Sequence, residues 1–263
     1  MVTTRPAEHD ATFVLFLWSH RALYAGPSPE NELHRHHAAQ LCVGLDATLH
    51  VGDKEDSARQ DMRAVFVPPD RPHVIDAESG RVVAIYWEPE STDYPFAPLG
   101  SAVRALSLPD HGWRRLRQMD LRSLSPVEAW AECAAALDLP VQASPTPLDP
   151  RIADTVEYIR HAPGEPHTLH ALAERAHLSP SRLSHLFSEQ VGVTLRRFIV
   201  WNRARYVVGA ALSGASLTEA AHAAGFSDAA HMSHTFRGMF GFAPSTLFSP
   251  SVPKHVYLVH EAP

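Results

Sequence analysis

Cysteine, long apolar runs and net positive charge are all scarce in this sequence. Its 263 residues include two cysteines, Cys42 and Cys133, which are too few for a disulfide framework or a cysteine-rich zinc site and fit a reducing compartment. The most apolar early stretch, residues 11–18, is far shorter than the roughly 20 residues that a membrane span needs. No signal-peptide pattern is found. The sequence therefore predicts a cytoplasmic protein that has no membrane partner.

Basic residues are outnumbered, but the two halves of the chain differ in charge. The formal net charge is −6. Residues 1–150 carry 21 acidic and 13 basic side chains, whereas residues 151–263 carry 8 acidic and 10 basic ones. The second half is thus mildly basic, which permits contact with nucleic acid without indicating it by itself.

The first hundred residues have the pattern of a β domain. Short apolar runs are separated by clusters of turn-forming residues such as 26–29 and 68–70. The runs are residues 12–18, 40–45, 64–67 and 82–87. Their even spacing predicts a sandwich or a small barrel.

The pattern becomes helical from about Gly112. Residues 125–128 place Ser at the N-cap, Pro at the first helical position and Glu at the third, which is a strong helix start. Residues 140–150 contain four prolines and predict an extended linker. Helical patterning then runs from Asp149 to about Phe242, with short turns between the helices.

The first of two similar helical units spans residues 168–190. Thr168 is placed to cap a short helix, and a turn follows at His177. Ser179 then caps a second helix that has Pro180 at its first position. Two short helices joined by such a turn are typical of a helix-turn-helix unit.

A second unit repeats this pattern after residue 215. Residues 216–219 form a capping box, and Gly225 makes the tight turn. Ser227 or Asp228 caps the helix that follows. The small alanines before the turn allow the two helices to cross closely, which leaves the start of each second helix free to enter a major groove.

The outward positions of these two second helices are the candidate DNA contacts. Arg182 is placed either to donate two hydrogen bonds to guanine or to hold a phosphate. Arg205, on the helix between the units, is a further candidate. The candidate contacts are Ser181, Arg182, Ser184, His185, Arg205, Ala229, His231, Ser233, His234 and Arg237.

An ordered series of motifs resembles the AraC/XylS family of bacterial transcription regulators. The motifs are residues 183–187, 192, 196–198, 201–203, 220–228, 236–237 and 241–245. The resemblance implies two major-groove helices joined by a long linker helix. It also implies double-stranded DNA as a partner, and RNA polymerase as another if the protein is an activator.

Histidines cluster in the first half. On a strand, His34 and His36 would share one face and His37 would lie on the other. His73 follows a turn much later in the chain. Two histidines at i and i+2 with a third from a neighbouring strand make a metal site in a β-barrel, and neutral imidazole suits Zn, Cu, Fe and Ni.

This histidine spacing resembles the cupin barrel. His34, His36 and His73 occupy the histidine positions of the two cupin motifs, Gln40 stands where an acid is expected, and Asp70 stands where a glycine is. The resemblance implies a divalent transition metal held by the three histidines, with Gln40 as a weak fourth ligand. Cupin-like sensor domains of AraC-type regulators commonly bind organic ligands without metal. A metal-free ligand pocket and surface histidines therefore stay open as alternatives.

The predicted fold class is α+β, with an N-terminal cupin-like β-barrel followed by an all-α domain with two helix-turn-helix units. The predicted parts are a sensor barrel (1–110), a helical segment with a proline-rich linker and a possible dimer interface (111–148), a DNA-binding domain (149–250) and a C-terminal tail (251–263). The predicted function is sequence-specific transcription regulation by a homodimer whose barrel senses a small-molecule or metal effector, with no catalytic residues. The alternative is a cupin-type metal-dependent enzyme with an accessory helical domain.

Overall fold

A computed structural model describes residues 12–53, 59–91, 94–95, 100–139, 147–249 and 252–259. Within these ranges strands dominate the N-terminal part and helices the C-terminal part, as the predicted α+β class requires. Residues 140–146 of the predicted linker lie outside the described residues. The strands are β1 (Phe13–Leu17), β2 (Arg21–Pro27), β3 (Ala39–Gly44), β4 (Leu49–Gly52), β5 (Gln60–Met62), β6 (Ala64–Val67), β7 (Val74–Asp76), β8 (Arg81–Trp87), β9 (Arg104–Ala105) and β10 (Lys254–Leu258).

The described strands form two sheets rather than one closed barrel. The larger sheet has the order β10-β1-β2-β8-β3-β6-β9, and the smaller has the order β5-β4-β7. Both sheets contribute to one apolar cluster, in which Phe13 and Cys42 of the larger sheet pack with Leu49 and Ile75 of the smaller. The two sheets therefore lie face to face around a shared core.

Period-two alternation gives the larger sheet a second apolar face. Phe16, Leu41 and Ile85 point to this face, where they join a cluster with Leu116 and Cys133. The helices that cover it are α1 (Asp110–Gln118), a short 3-10 helix (Leu121–Ser123) and α2 (Pro126–Ala136). The predicted capping box at the start of α2 is present. The segment predicted as a possible dimer interface thus packs on its own sheet.

Residues 254–258, within the predicted tail, form a strand. Strand β10 pairs in parallel with β1, and Phe13 lies opposite Lys254 in the register. The Tyr257 ring stacks on Phe16 at 4.6 Å between centroids. Burial of Tyr257 against the sheet gives this segment a reason to order, because apolar surface is removed from water.

The helical domain contains two cores joined by one long helix. Its described helices are α3 (Pro150–His161), α4 (Leu169–Arg175), α5 (Pro180–Val191), α6 (Leu195–Leu212), α7 (Leu217–Ala223), α8 (Ala229–Phe240) and α9 (Ser245–Phe248). One core lies around Phe187 and Phe198, and the other lies around Phe226 and Phe236. None of the helices in the described ranges is long and apolar enough to cross a membrane.

Candidate functional site

The two helical units make the same turn with different residues. His177 and Gly225 both have positive φ, 52° and 77°. In each unit the next residue donates its N–H to the carbonyl five residues back, Leu178 to Ala173 at 2.9 Å and Phe226 to Ala221 at 3.0 Å. This repeated geometry is that of two helix-turn-helix units, α4–α5 and α7–α8.

The caps of the second helices match the predicted starts. The Ser179 hydroxyl accepts from the N–H of Arg182 at 3.2 Å, and the Asp228 carboxylate accepts from the N–H of His231 at 2.7 Å. Both helices end at a left-handed glycine, Gly192 for α5 and Gly241 for α8.

Nine of the ten predicted DNA contacts lie on the outer side of α5 and α8. Six are exposed and three are half-buried, so all nine are available at the surface. The exposed ones are Ser181, Arg182, His185, His231, His234 and Arg237, and the half-buried ones are Ser184, Ala229 and Ser233. The surface that α5 and α8 present is therefore a candidate nucleic-acid interface.

Arg205 is the exception, because its guanidinium turns toward the sheet domain. It donates to the carboxylate of Glu88 at 2.6 Å and to the carbonyl of Trp18 at 2.7 Å, and it also contacts the carbonyl of Ser19. Through these three acceptors Arg205 joins the two domains. Its guanidinium therefore does not lie on the exposed face of α5 and α8 with the other predicted contacts.

Glu88 is the centre of this contact between the domains. Besides Arg205, it accepts from the indole N–H of Trp201 at 2.7 Å and from Arg160 at 2.5 Å. Glu88 is 1% exposed. Burial by itself would raise the pKa of the Glu88 carboxyl, but Arg205 and Arg160 outweigh burial and hold that pKa well below its usual range. The carboxylate is thus charged and fully paired.

A second acid extends this contact. Glu90 accepts from Arg160 at 2.9 Å, and its other oxygen lies 2.7 Å from Nε2 of His37. Residues 35–38 belong to no strand, so the predicted alternation of faces does not apply to them, and His37 contacts Glu90 rather than the cluster of His34, His36 and His73. Sequence reasoning missed Glu88 and Glu90, because their partners lie between 53 and 117 residues away in the chain.

The two helix-turn-helix units are also tied to each other. Arg203 of α6 donates to the carbonyls of Pro163, before the first unit, and of Gly225, in the turn of the second, at 3.2 and 2.9 Å. A Cβ on Gly164 would lie 2.4 Å from the carbonyl oxygen of Ala223. This close approach fixes the position of one unit against the other.

A cavity lies between the sheet domain and the helical domain. It holds about 1080 Å³ of empty space, open mouth included. Sheet residues such as Tyr24 and Tyr86 form one wall, and Val208, Phe240 and Phe248 of the helical domain form the other. The cavity is therefore walled by both domains.

A few polar side chains interrupt the apolar lining of the cavity. His20, Arg21, Glu88 and Arg205 lie among its lining residues, as do His34 and Gln40. The Arg21 guanidinium is also 5.1 Å from each of three tryptophan rings. Mostly apolar walls with a few polar groups are the usual chemistry of a small-molecule site.

The predicted histidine cluster is assembled. His34, His36 and His73 are buried, and one ring nitrogen from each lies within 4.8 Å of the others. Main-chain hydrogen bonds of 3.0 and 2.9 Å pair His34 with His73. Gln40 of β3 adds an amide oxygen at 3.1 Å from Nε2 of His36 and 3.0 Å from Nε2 of His73.

The three rings are held in one tautomer. Nδ1 of His34, His36 and His73 lies 2.9, 2.8 and 2.9 Å from a main-chain carbonyl oxygen. A carbonyl only accepts, so each Nδ1 carries the proton. Burial lowers the pKa of His34 to about 3 and of His36 to about 4, and it lowers the pKa of His73 well below its usual range. The rings are therefore neutral at pH 7, and each Nε2 keeps a lone pair.

The position of Asp70 fits the cupin-like spacing. Asp70 stands where that motif has glycine, and its φ is 62°, a backbone conformation that favours glycine and that Asp tolerates. Its N–H donates to the carbonyl of His36 at 2.8 Å, which joins the turn before His73 to the first two histidines. Asp70 also pairs with Arg197 of the helical domain.

Comparison with known proteins agrees with the geometry of the helical domain. A family model described as a helix-turn-helix domain matches residues 172–249. The arabinose operon regulatory protein of Salmonella typhimurium is 30% identical over 104 residues. The match covers 38% of this chain and 36% of that protein, so it spans about a third of the relative's length.

Solved structures show the same fold over most of the chain. ToxT from Vibrio cholerae has a TM-score of 0.57 at 9% identity, covering 87% of this chain and 98% of ToxT. A ToxT structure with a bound unsaturated fatty acid has a TM-score of 0.52 at 11% identity, covering 92% and 97%. These findings identify residues 172–249 as a helix-turn-helix domain and show that most of the chain shares the fold of ToxT.

Proposed function

We propose that this protein is a DNA-binding transcription regulator controlled by a small organic effector that binds in the cavity between its domains. The observation that carries the proposal is the shared lining of this cavity. Trp201 and Arg205 line it and also bind Glu88, the centre of the contact between the domains. An effector here contacts both domains, so it favours whichever arrangement of the domains binds it better.

The chemistry of the cavity favours an apolar effector with an acidic group. Most of the lining is apolar, and Arg21 adds a basic side chain to it, whereas the other arginine of the lining, Arg205, already pairs with Glu88, the single acid there. ToxT has been solved with an unsaturated fatty acid and with a naphthalenyl butenoic acid. Both ligands join an acid group to an apolar body, which supports the same class here.

The DNA-binding half of the proposal rests on the exposed ends of α5 and α8. Both helices begin with a capped, accessible first turn, and side chains in this position reach base edges in a major groove. We also propose a cytoplasmic location, where a bacterial regulator would meet its DNA. The arabinose operon regulatory protein, which this chain resembles over 104 residues, is by its name a regulator, which favours regulation over the alternative of a metal-dependent enzyme.

The test selects a duplex from random sequences with the full chain and measures its affinity at fixed salt, with and without a long-chain fatty acid. We expect tight, salt-dependent binding that the acid changes. Ala22→Phe fills the cavity from β2 and should abolish the response to the acid but keep DNA affinity. Ala135→Phe, at an exposed position of α2, is the matched control. If no duplex is selected, the proposed DNA-binding function is wrong. If Ala22→Phe responds normally to the acid, the cavity is not the effector site.

A second candidate effector is a divalent transition metal at the histidine cluster. Nε2 of His36 and Nε2 of His73 present lone pairs to the amide oxygen of Gln40, which can only accept. Either a cation lies between these atoms, or the amide turns so that its NH2 group donates to both rings. Imidazoles fixed by an Nδ1–H bond to a carbonyl are typical of metal ligands, so the donors fit a metal such as Zn, Ni or Fe.

Elemental analysis of the tag-free chain beside the variant His34→Ala/His36→Ala tests this candidate. We expect near-stoichiometric metal in the natural chain, or its uptake on titration, and loss of both in the variant. If the natural chain neither holds nor takes up metal, the metal candidate is wrong. The NH2 group of Gln40 then donates to Nε2 of His36 and of His73, and the cavity remains the proposed effector site.

A homodimer is also proposed, because symmetric pairs are the commonest soluble assemblies and because α2 leaves Val127 74% exposed. Sedimentation of the chain and of Val127→Glu measures this directly. A monomer in both samples at micromolar concentration would contradict the dimer. RNA polymerase is proposed as a partner only if the protein proves to be an activator.

A further inference from the structure

Segment 31–36 carries two of the three histidines and also contacts the second helix-turn-helix unit. Its main chain binds the end of α8 at two points. The N–H of Glu32 donates to the carbonyl of Gly241 at 2.8 Å, and the N–H of Arg35 donates to the carbonyl of Gly238 at 3.3 Å. The same six residues therefore belong to the histidine cluster and to the contact between the domains.

The approach at Gly241 is close enough to depend on glycine. A Cβ there would lie 2.6 Å from the carbonyl oxygen of Glu32 and 2.8 Å from Nδ1 of His34. Gly241 also has a φ of 78°, which ends α8. The end of the second recognition helix thus lies directly against the ring of a cluster histidine.

Aromatic rings of the helical domain lie beside the cluster. The centroid of His36 is 6.1 Å from that of Trp201 and 6.3 Å from that of Phe240. His36 is only 2% exposed. The helical domain thus contributes to shielding the cluster from water.

On the sheet side, hydrogen bonds at Asn31, His34 and His36 hold the segment, and the carbonyl of His36 accepts from the N–H of Asp70 at 2.8 Å. Asn31 forms two hydrogen bonds with the main chain of Ile75, at 2.6 and 3.1 Å, and His34 pairs with His73. Residues 31–33 and 35–38 belong to no strand or helix. A metal bound by His34, His36 and His73 would cross-link this segment to the turn at residue 73.

We infer that a metal ion at the histidine cluster strengthens the docking of α8 onto segment 31–36. Metal binding at the cluster would then be coupled to the position of the second helix-turn-helix unit. This inference rests on the metal occupancy proposed above. A segment already ordered by metal loses less conformational freedom when it binds α8. By linkage, the docked domain must tighten metal binding by the same factor.

Hydrogen exchange of the full chain with and without one equivalent of Zn²⁺ tests the coupling. The reporters are the amides of Glu32 and Arg35, which donate directly to Gly241 and Gly238. We expect zinc to slow their exchange by about tenfold or more. Amides of α5, in the first unit, are the internal reference and should not change.

The variant His34→Gln/His73→Gln is the matched control for zinc bound at surface histidines, and zinc should leave its exchange unchanged. If the natural chain binds one zinc and the two reporter amides exchange at unaltered rates, the coupling is wrong and the metal site stands. If the natural chain binds no zinc, the proposed metal occupancy fails and the coupling fails with it.

Discussion

Mild acid is expected to unfold this protein because three buried histidines must become charged. In the folded chain the pKa values of His34 and His36 lie at about 3 and about 4, and that of His73 lies well below its usual range, chiefly because of burial. The unfolded values lie near 6.5. At pH 5 each histidine then contributes about 2 kcal/mol against folding, or about 6 kcal/mol for three. This is comparable with the whole stability of a typical domain.

The sign and the pH window follow from the lowered pKa values. Below pH 6.5 the three histidines bind protons in the unfolded chain but stay neutral in the folded chain. The free energy of unfolding is therefore highest above pH 6.5 and falls as the pH drops toward 4. Glu88, whose pKa is also lowered, acts in a different window. Its contribution to the free energy of unfolding is lost only below the unfolded carboxyl pKa of about 4.5. A loss of stability between pH 6.5 and 4.5 is therefore assigned to the three cluster histidines and not to Glu88.

Urea unfolding at pH 7.5, 6 and 5 with a chelator present measures the effect on the metal-free chain. The natural chain should lose stability steeply across this range. His34→Gln removes one of the three protons and should reduce the slope by about a third. Equal free energies of unfolding at pH 7.5 and pH 5, or an unchanged slope in the variant, would show that the cluster does not stay neutral in the folded state.

Three further outcomes are expected. Glu88→Gln should destabilise the chain by about 3–5 kcal/mol in calorimetry, because Arg205 loses its acid and Arg160 loses one of its acids, whereas the exposed Glu157→Gln should have little effect. Gln40→Glu should tighten zinc binding by roughly tenfold or more in a chelator competition, since a carboxylate adds an anionic ligand, and a weaker site would contradict the ligand set. Arg182→Ala should weaken binding to a selected duplex by about 1–3 kcal/mol. Arg205→Ala should change the effect of the acid on DNA affinity more than it changes DNA affinity without the acid.

The helix-turn-helix units could be predicted from sequence because their signals are local. Caps such as Ser179 and the box at Ser216 act within one helical turn, and Gly225 marks a backbone conformation that few other residues adopt. The first unit uses His177 at the equivalent turn, which shows that the packing of the unit, rather than glycine alone, sets this geometry.

The features that sequence reasoning missed depend on contacts distant in the chain. Glu88 follows an apolar strand like many solvent-facing acids, and nothing near it in sequence indicates two arginines from other helices. The sequence predicts a tail at residues 251–263 because a single short strand has no partner in its own neighbourhood. Both features arise only when the domains pack, so periodicity and capping patterns carry no signal for them.

The arrangement of contacts indicates how an effector would act on the two recognition helices. Arg203 and the close approach at Gly164 hold the two units together, so the helical domain moves as one body rather than changing the spacing of α5 and α8. The sheet domain contacts the helical domain at separate points. Glu88 binds side chains of α3 and α6, and segment 31–36 binds the end of α8. Under the proposed function, an occupant of the cavity would contact both points and would therefore bias how the helical domain is oriented against the sheets.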